Sequence, residues 1–306
     1  MNFQQLRIVR ETVKRDFNLT EVANALCTSQ SGVSKHIKDL EEELGVELYV
    51  RKGKRLLGLT GPGKEMVRIV ERILQETANL KSLADEYSRQ DTGELAIATT
   101  HTQARYSLPA IISQFRQLYP RVHLKLYQSG PDEIVQLLRS GEVDVGIATE
   151  ALDRQPELAA FPFYRWRHAV IVPRGHPLTR LDRPTLKQIA DYPIITYHEG
   201  FTGRSKVEKV FRQQGIEPDI VMSALDADVI KSYVELELGI GIIAAMAFDP
   251  SRDHALLLLD TAHLFEENIT SIALKRGRVL REYGYRFIQL CSPELDKGRL
   301  TIGLDG

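Results

Sequence analysis

The sequence predicts an α/β protein with an N-terminal all-α winged helix-turn-helix, a long linker helix and a two-lobed α/β domain. Three observations carry that prediction. Residues 1–60 hold two short helices around a tight turn, followed by a basic stretch around a glycine. A helix of more than two dozen residues with a narrow apolar seam comes next. Beyond Asp91-Thr92-Gly93, β-branched runs alternate with helical periods, as they do in βαβ units with a mostly parallel sheet. The boundaries are 1–60 for the winged helix-turn-helix, 61–90 for the coiled-coil linker and 91–306 for the α/β domain.

Composition narrows the function. At roughly 150 residues per domain, 306 residues make about two domains. Lys+Arg is 40 and Asp+Glu is 41, which excludes a wholly basic nucleic-acid coat. It leaves room for DNA binding by one small domain, because only the local field matters there. Hydrophobic residues at 43% are too many for a disordered chain. Cys27 and Cys291 are too far apart in sequence for a zinc cluster or a disulfide framework, and they suit a reducing cytosol. No histidine pair has i,i+4 spacing and there is no HExxH, so no metal site is expected. The apolar run 240–248 is about half of the roughly 20 residues a membrane helix needs, and residues 1–11 lack a signal-peptide core. The expectation is a cytoplasmic protein without a membrane partner.

Within residues 1–60, Thr20 can cap a helix over 21–26, and Cys27-Thr28-Ser29 makes a turn. Ser29 can cap a second helix that carries Val33, Ile37, Leu40 and Leu44 on one stripe and stops at Gly45. The opposite face shows Gln30, Ser31, Ser34, Lys35 and Lys38. A second helix with such a face suits the major groove, where Gln, Ser and Lys reach base edges and phosphates. Arg51-Lys52-Gly53-Lys54-Arg55 suits a wing along a phosphate backbone. Thr28, Gln30, Ser31, Ser34, Lys35, Lys38, Arg51, Lys52 and Lys54 are therefore the candidate contacts to double-stranded promoter DNA. Glu41-Glu42-Glu43 should lie at the far end of the helix.

The linker reads as a helix over 62–88, with Met66, Val70, Ile73, Thr77, Leu80, Ala84 and Tyr87 at 4-3 spacing. That is the a/d seam of a coiled coil, and it points to a homodimer or homotetramer.

In the α/β domain, the strand over 95–99 runs into Thr100-His101-Thr102-Gln103 at the start of a helix. Thr202-Gly203-Arg204-Ser205 repeats that junction, and Thr149 closes a third strand. Free backbone N–H groups, a dipole end and neutral hydroxyl and amide donors would meet there, as a small anion requires. On the residues alone, the same threonines read equally well as strand ends and helix caps. Trp166, with Tyr164 and Arg167, stands where the chain crosses to a second lobe, and Lys275-Arg276-Gly277-Arg278 reads as a solvated loop. No GxSxG elbow or triad is present, so neither a catalytic residue nor a resident cofactor is expected.

The run from Ala23 through Thr28-Ser29-Gln30-Ser31-Gly32-Val33-Ser34-Lys35-His36-Ile37-Lys38-Asp39-Leu40-Glu41, then Leu44-Gly45-Val46-Glu47-Leu48-Tyr49 and Leu59-Thr60-Gly61-Pro62-Gly63, resembles the winged helix of LysR-type transcriptional regulators. Ser31 departs from the proline usual in that family. Farther on, the stretches 97–106, 147–152, 200–205 and 226–231 are similar to the cysteine-regulon activators of that family, and the resemblance spans roughly residues 1–295. It implies a periplasmic-binding-protein-like effector domain, with lobe I at about 93–164 and 268–292 and lobe II at about 165–267. It also implies an effector site at Thr100, Thr102, Gln103, Thr149 and Thr202. The implied effectors are acetylserine, sulfate or thiosulfate, acting on sulfur-assimilation genes. Two other readings remain, a two-lobed solute-binding protein and a DNA-tethered enzyme. The helix-turn-helix argues against the first and the absent catalytic constellation against the second.

Overall fold

In a computed structural model, residues 1–53, 55–87 and 92–305 are described. The chain forms two compact units, one of residues 1–89 with 277–281, the other of residues 90–276 with 282–306.

The first unit contains α1 (Phe3–Lys14), α2 (Leu19–Ala25), α3 (Gln30–Leu44), the antiparallel ribbon β1 (Tyr49–Lys52) and β2 (Arg55–Leu59), and α4 (Gly61–Tyr87). Asn18, not Thr20, caps α2, because its Oδ1 accepts from the Thr20 and Glu21 amides. The helix therefore starts two residues earlier than expected. Ser29 caps α3 through the Gly32 amide, and Gly45 ends it in the left-handed region at φ 68°. Val33, Ile37 and Leu40 are buried, each contributing about 1.5–3 kcal/mol. Leu44, expected on that stripe, is exposed where the helix ends.

The linker seam divides. Val67, Val70 and Leu74 lie in the core of this unit, with Met66 and Ile73 packed against it. Leu80, in contrast, is 70% exposed. The first half of the expected seam thus packs on its own domain, because α1 offers it an apolar face. The side chain of Tyr87 lies outside the described residues, as does Lys54.

The second unit has two five-stranded sheets. Lobe I contains β3 (Gly93–Thr99), α5 (Leu108–Leu118), β4 (Val122–Gln128), α6 (Pro131–Ser140), β5 (Val145–Ala148) and β6 (Leu158–Trp166). Lobe II contains β7 (His168–Pro173), α7 (Leu186–Ala190), β8 (Ile194–Tyr197), α8 (Arg204–Gln213), β9 (Ile220–Ala224), α9 (Ala227–Glu235), β10 (Ile240–Ala244) and β11 (Leu256–Leu258). The chain returns to lobe I through β12 (Asn268–Lys275), followed by α10 (Glu282–Cys291) and α11 (Lys297–Asp305).

Strand order is β4-β3-β5-β12-β6 in lobe I and β11-β7-β10-β8-β9 in lobe II. Each sheet has two parallel and two antiparallel pairings, with four strands running one way and one, β12 in lobe I and β7 in lobe II, running against them. The sheets are therefore mixed, because the strands by which the chain enters each lobe from the other, β7 and β12, run against their neighbours. One crossover is Arg167, between β6 and β7, and the other precedes Asn268.

Lys275 and Arg276 do not form a solvated loop. Lys275 Nζ donates to the Arg139 carbonyl at 2.7 Å, and Arg276 donates to the carbonyls of Pro156 and Gly303. Among the described residues, no helix is long and apolar enough to cross a membrane.

Candidate functional site

The candidate effector residues come from the carboxyl ends of β3, β5 and β8. Thr99 ends β3, and Thr100, His101 and Thr102 lead into a wide π-type turn over Gln103–Ser107. The Thr100 carbonyl accepts from the Gln103 and Ala104 amides. Thr149 and Glu150 follow β5, and Thr202-Gly203 precedes α8. Thr100, Thr102, Gln103 and Thr202 are buried, and Thr149 is half-buried.

Neither Thr102 nor Thr202 serves its helix as a side-chain cap. Their hydroxyls instead face each other across the two lobes at 3.4 Å. Thr202 itself has φ 45°, in the left-handed region. The cap reading of these two threonines therefore fails locally.

Donor arithmetic shows what the site offers. Thr270 Oγ1 lies 3.1 Å from Trp166 Nε1, 3.3 Å from Gln103 Nε2 and 3.1 Å from Thr149 Oγ1. Trp166 Nε1 and Gln103 Nε2 can only donate, so they fill its two lone pairs, and its proton goes to Thr149. Thr149 then keeps its own O–H for a ligand, and Gln103 keeps its second amide hydrogen. Gln103 Oε1 is occupied by Tyr164 Oη and by Ser107 Oγ at 3.0 Å. The amide is thereby oriented with its nitrogen as the available end. Of the Thr102–Thr202 pair, one hydroxyl donates to the other and one hydrogen is left over.

His168, buried at the start of β7, donates from Nε2 to the Thr202 carbonyl at 2.8 Å. Its Nδ1 accepts from Asn268 Nδ2 at 3.3 Å. Burial pushes its pKa down to about 4, so it is a neutral scaffold for the Thr202 turn. Glu150 is the opposite case. Burial pushes its carboxyl up to about 7, although the Gly203 amide donates to it.

His101 is half-buried beside Gln128 Oε1 and Asp228. With Asp226 and Asp228 it could supply three metal-ligand atoms within 4.8 Å of one another. Tyr106, Arg105 and Lys231 already engage the Asp228 carboxylate.

Sequence reasoning missed Thr270, Tyr164, Glu150, His168 and Asn268 as parts of this site. Thr270 lies inside a strand and His168 at the start of one, so nothing local marks them. Glu150 follows Thr149 directly, and that adjacency was a usable signal.

On the first unit, Gln30, Ser31, Lys35 and Lys38 are exposed on α3, while Thr28 and Ser34 are half-buried. Lys52 is exposed near the tip of the ribbon. Arg51 pairs with Glu41 at 2.6 Å, and Glu41 also accepts from the Leu48 and Tyr49 amides. Glu41 therefore anchors the base of the wing, a role that the acidic run did not suggest.

Comparison with known proteins agrees with both parts. Residues 3–64 match the family model for the bacterial regulatory helix-turn-helix protein, lysR family, and residues 88–296 match the LysR substrate binding domain. The chain is 55% identical to the HTH-type transcriptional regulator SsuR of Burkholderia cenocepacia, covering 98% of each chain. It is 54% identical to the HTH-type transcriptional regulator Cbl of Escherichia coli, covering 96% of this chain and 93% of that one. It is 49% identical to the HTH-type transcriptional regulator CysB of Burkholderia cenocepacia, covering 100% and 98%. Among solved structures, the cofactor-binding domain of the Cbl transcriptional regulator matches with a TM-score of 0.68 at 48% identity, over 70% of this chain and 94% of that one.

Proposed function

The chain belongs to the LysR family of transcriptional regulators, and on that premise we propose that its cleft takes a small anion that controls sulfur-assimilation genes. It is a regulator with a DNA-binding domain and a small-molecule effector domain, not an enzyme. The observation that best supports an anion is the set of neutral donors left over at Thr149, Gln103 and the Thr102–Thr202 pair. Neutral donors hold an oxyanion without a buried Lys or Arg opposite it. Acetylserine is the activating effector in this reading, and sulfate and thiosulfate compete with it. The likeness to Cbl and CysB supports the sulfur assignment.

On the DNA side, Gln30, Ser34 and Lys35 contact the major groove, with Thr28, Ser31 and Lys38 beside them. Lys52, with Arg51 and Lys54, follows the backbone. The protein works in the cytoplasm as a homodimer or homotetramer. The exposed apolar residues Ile69, Leu80 and Leu83 on α4, and the shallow recess lined by Arg72, Ile73, Glu76, Thr77 and Leu80, support pairing through the linker.

The anion reading is tested by calorimetry with sulfate and acetylserine on wild type, Thr102→Ala and Thr202→Ala. Loss of a hydrogen bond to a charged group typically costs about 1.5–3 kcal/mol, so each variant should bind roughly tenfold more weakly or worse. Undiminished binding by both variants would remove the threonines from the site.

A further inference from the structure

The turn that opens α8 is built to present amide hydrogens. Gly200, Thr202 and Gly203 all have positive φ, at 80°, 45° and 69°. A Cβ on Gly203 would fall 2.5 Å from Asn268 Oδ1 and 2.8 Å from His168 Cε1, so only glycine fits. No side chain caps the helix that follows. The Arg204 and Lys206 amides donate to the Phe201 and Gly203 carbonyls, and the Gly203 amide, at the positive end of the helix dipole, is left to receive an anion. The anion it receives comes from the other lobe, because Glu150 Oε1 accepts from the Gly203 amide. Glu150 Oε2 is buried and has no hydrogen-bond partner.

We propose that Glu150 is a tethered occupant of the effector site, whose carboxylate must take up a proton when a fully ionised anionic effector binds. This inference rests on the anion reading of the cleft. Its physical basis is like-charge repulsion. Thr202, one of the hydroxyls assigned to the effector, is the immediate neighbour of the amide that Glu150 holds. Two anions this close in a buried pocket cannot both stay ionised without a large cost. Protonation removes the repulsion and turns the unpartnered oxygen into an O–H donor. The direction of the Glu150 shift agrees, since burial already raises its pKa.

The other charged and titratable groups around this pocket are accounted for. Lys206 on α8 favours the ionised form of Glu150, but its ammonium is spent on the Glu267 carbonyl. Arg204 on α8 is tied to Glu208 and to the Tyr197 carbonyl. His168 on β7 is held neutral, and burial raises Tyr164 on β6 and Tyr197 on β8 out of the neutral range. His101, between Thr100 and Thr102, faces Gln128 and Asp228.

The test is calorimetric titration of the full-length protein with inorganic sulfate from pH 5.5 to 9, in buffers of differing ionisation enthalpy. Wild type should bind with constant affinity well below pH 7 and lose up to about tenfold per pH unit above it, with uptake of about one proton. Glu150→Gln keeps the shape and lacks the charge. It should bind at the wild-type low-pH affinity across the whole range and take up no proton. A flat wild-type profile without proton uptake overturns the inference, and it does so without needing the variant. A profile that persists in Glu150→Gln assigns the linkage to another group and also overturns it. If sulfate binds neither protein at any pH, the anion reading falls together with this inference. Binding that is weakened by Thr102→Ala but independent of pH removes the inference alone.

Discussion

The two functional surfaces of this protein are built in opposite ways. The candidate DNA face is one helix, α3, with Gln30, Ser31, Lys35 and Lys38 exposed on one side and Val33, Ile37 and Leu40 buried on the other. The candidate effector site gathers residues from β3, β5, β6, β7, β8 and β12 and buries most of them. A surface that meets a large, highly charged partner can rely on one helix and exposed side chains, because the partner supplies the complementary surface. A site that must hold a small anion has to surround it, so each donor must be oriented by a neighbour. Thr270 does this for Thr149 and Gln103, and His168 does it for the Thr202 turn.

Assembly should produce the largest effect that breaks this comparison, because DNA binding of two half-sites depends on pairing. Leu80→Asp puts a charge on the exposed apolar end of α4 without touching the core that holds Val70 and Leu74. Sedimentation should show a smaller species, and operator affinity should fall by about a hundredfold or more as the second half-site is lost. Sulfate binding should be unchanged. A variant of native mass would place the interface elsewhere.

Thr270→Val tests the buried network. It removes the acceptor for Trp166 and Gln103 and the donor to Thr149 while keeping the shape. Leaving those groups unmatched should cost about 1–3 kcal/mol of stability in the effector unit. Calorimetry should show sulfate binding weakened about tenfold, although Thr270 is not assigned to touch the ligand. Unchanged stability and affinity would mean that the donors do not depend on it.

Lys52→Ala should have the smallest effect. It should weaken specific and non-specific DNA binding alike by a few fold and lower the magnitude of the salt slope by about one unit. Ser34→Ala should differ in kind, weakening specific binding more than non-specific binding. An unchanged salt slope in Lys52→Ala would take the wing away from the phosphate backbone.

How much was legible in the chain follows the same division. Ser29 as a cap, Gly45 as a stop and the stripe Val33, Ile37, Leu40 are local, so periodicity and capping chemistry were enough to find them. Asn18 and Thr20 are both capping residue types, and only the hydrogen bonds choose between them. The linker seam was legible as a repeat, but the repeat does not say which partner covers it. Val70 faces the core of its own domain and Leu80 faces outward.

By itself the sequence determined the order of domains, the helix-turn-helix, the α/β character of the second unit and the threonine-rich strand ends. Each of these depends on residues within about one turn or one strand of one another, where backbone geometry sets the period. The tertiary structure alone decided that the sheets are mixed and that Thr102 meets Thr202 across one hundred positions of chain. It alone decided that Thr270 orients two donors and that Glu150 reaches the Gly203 amide. Those are contacts between distant segments, and a hydrogen bond carries no trace in the chain until packing brings its two ends within about 3 Å.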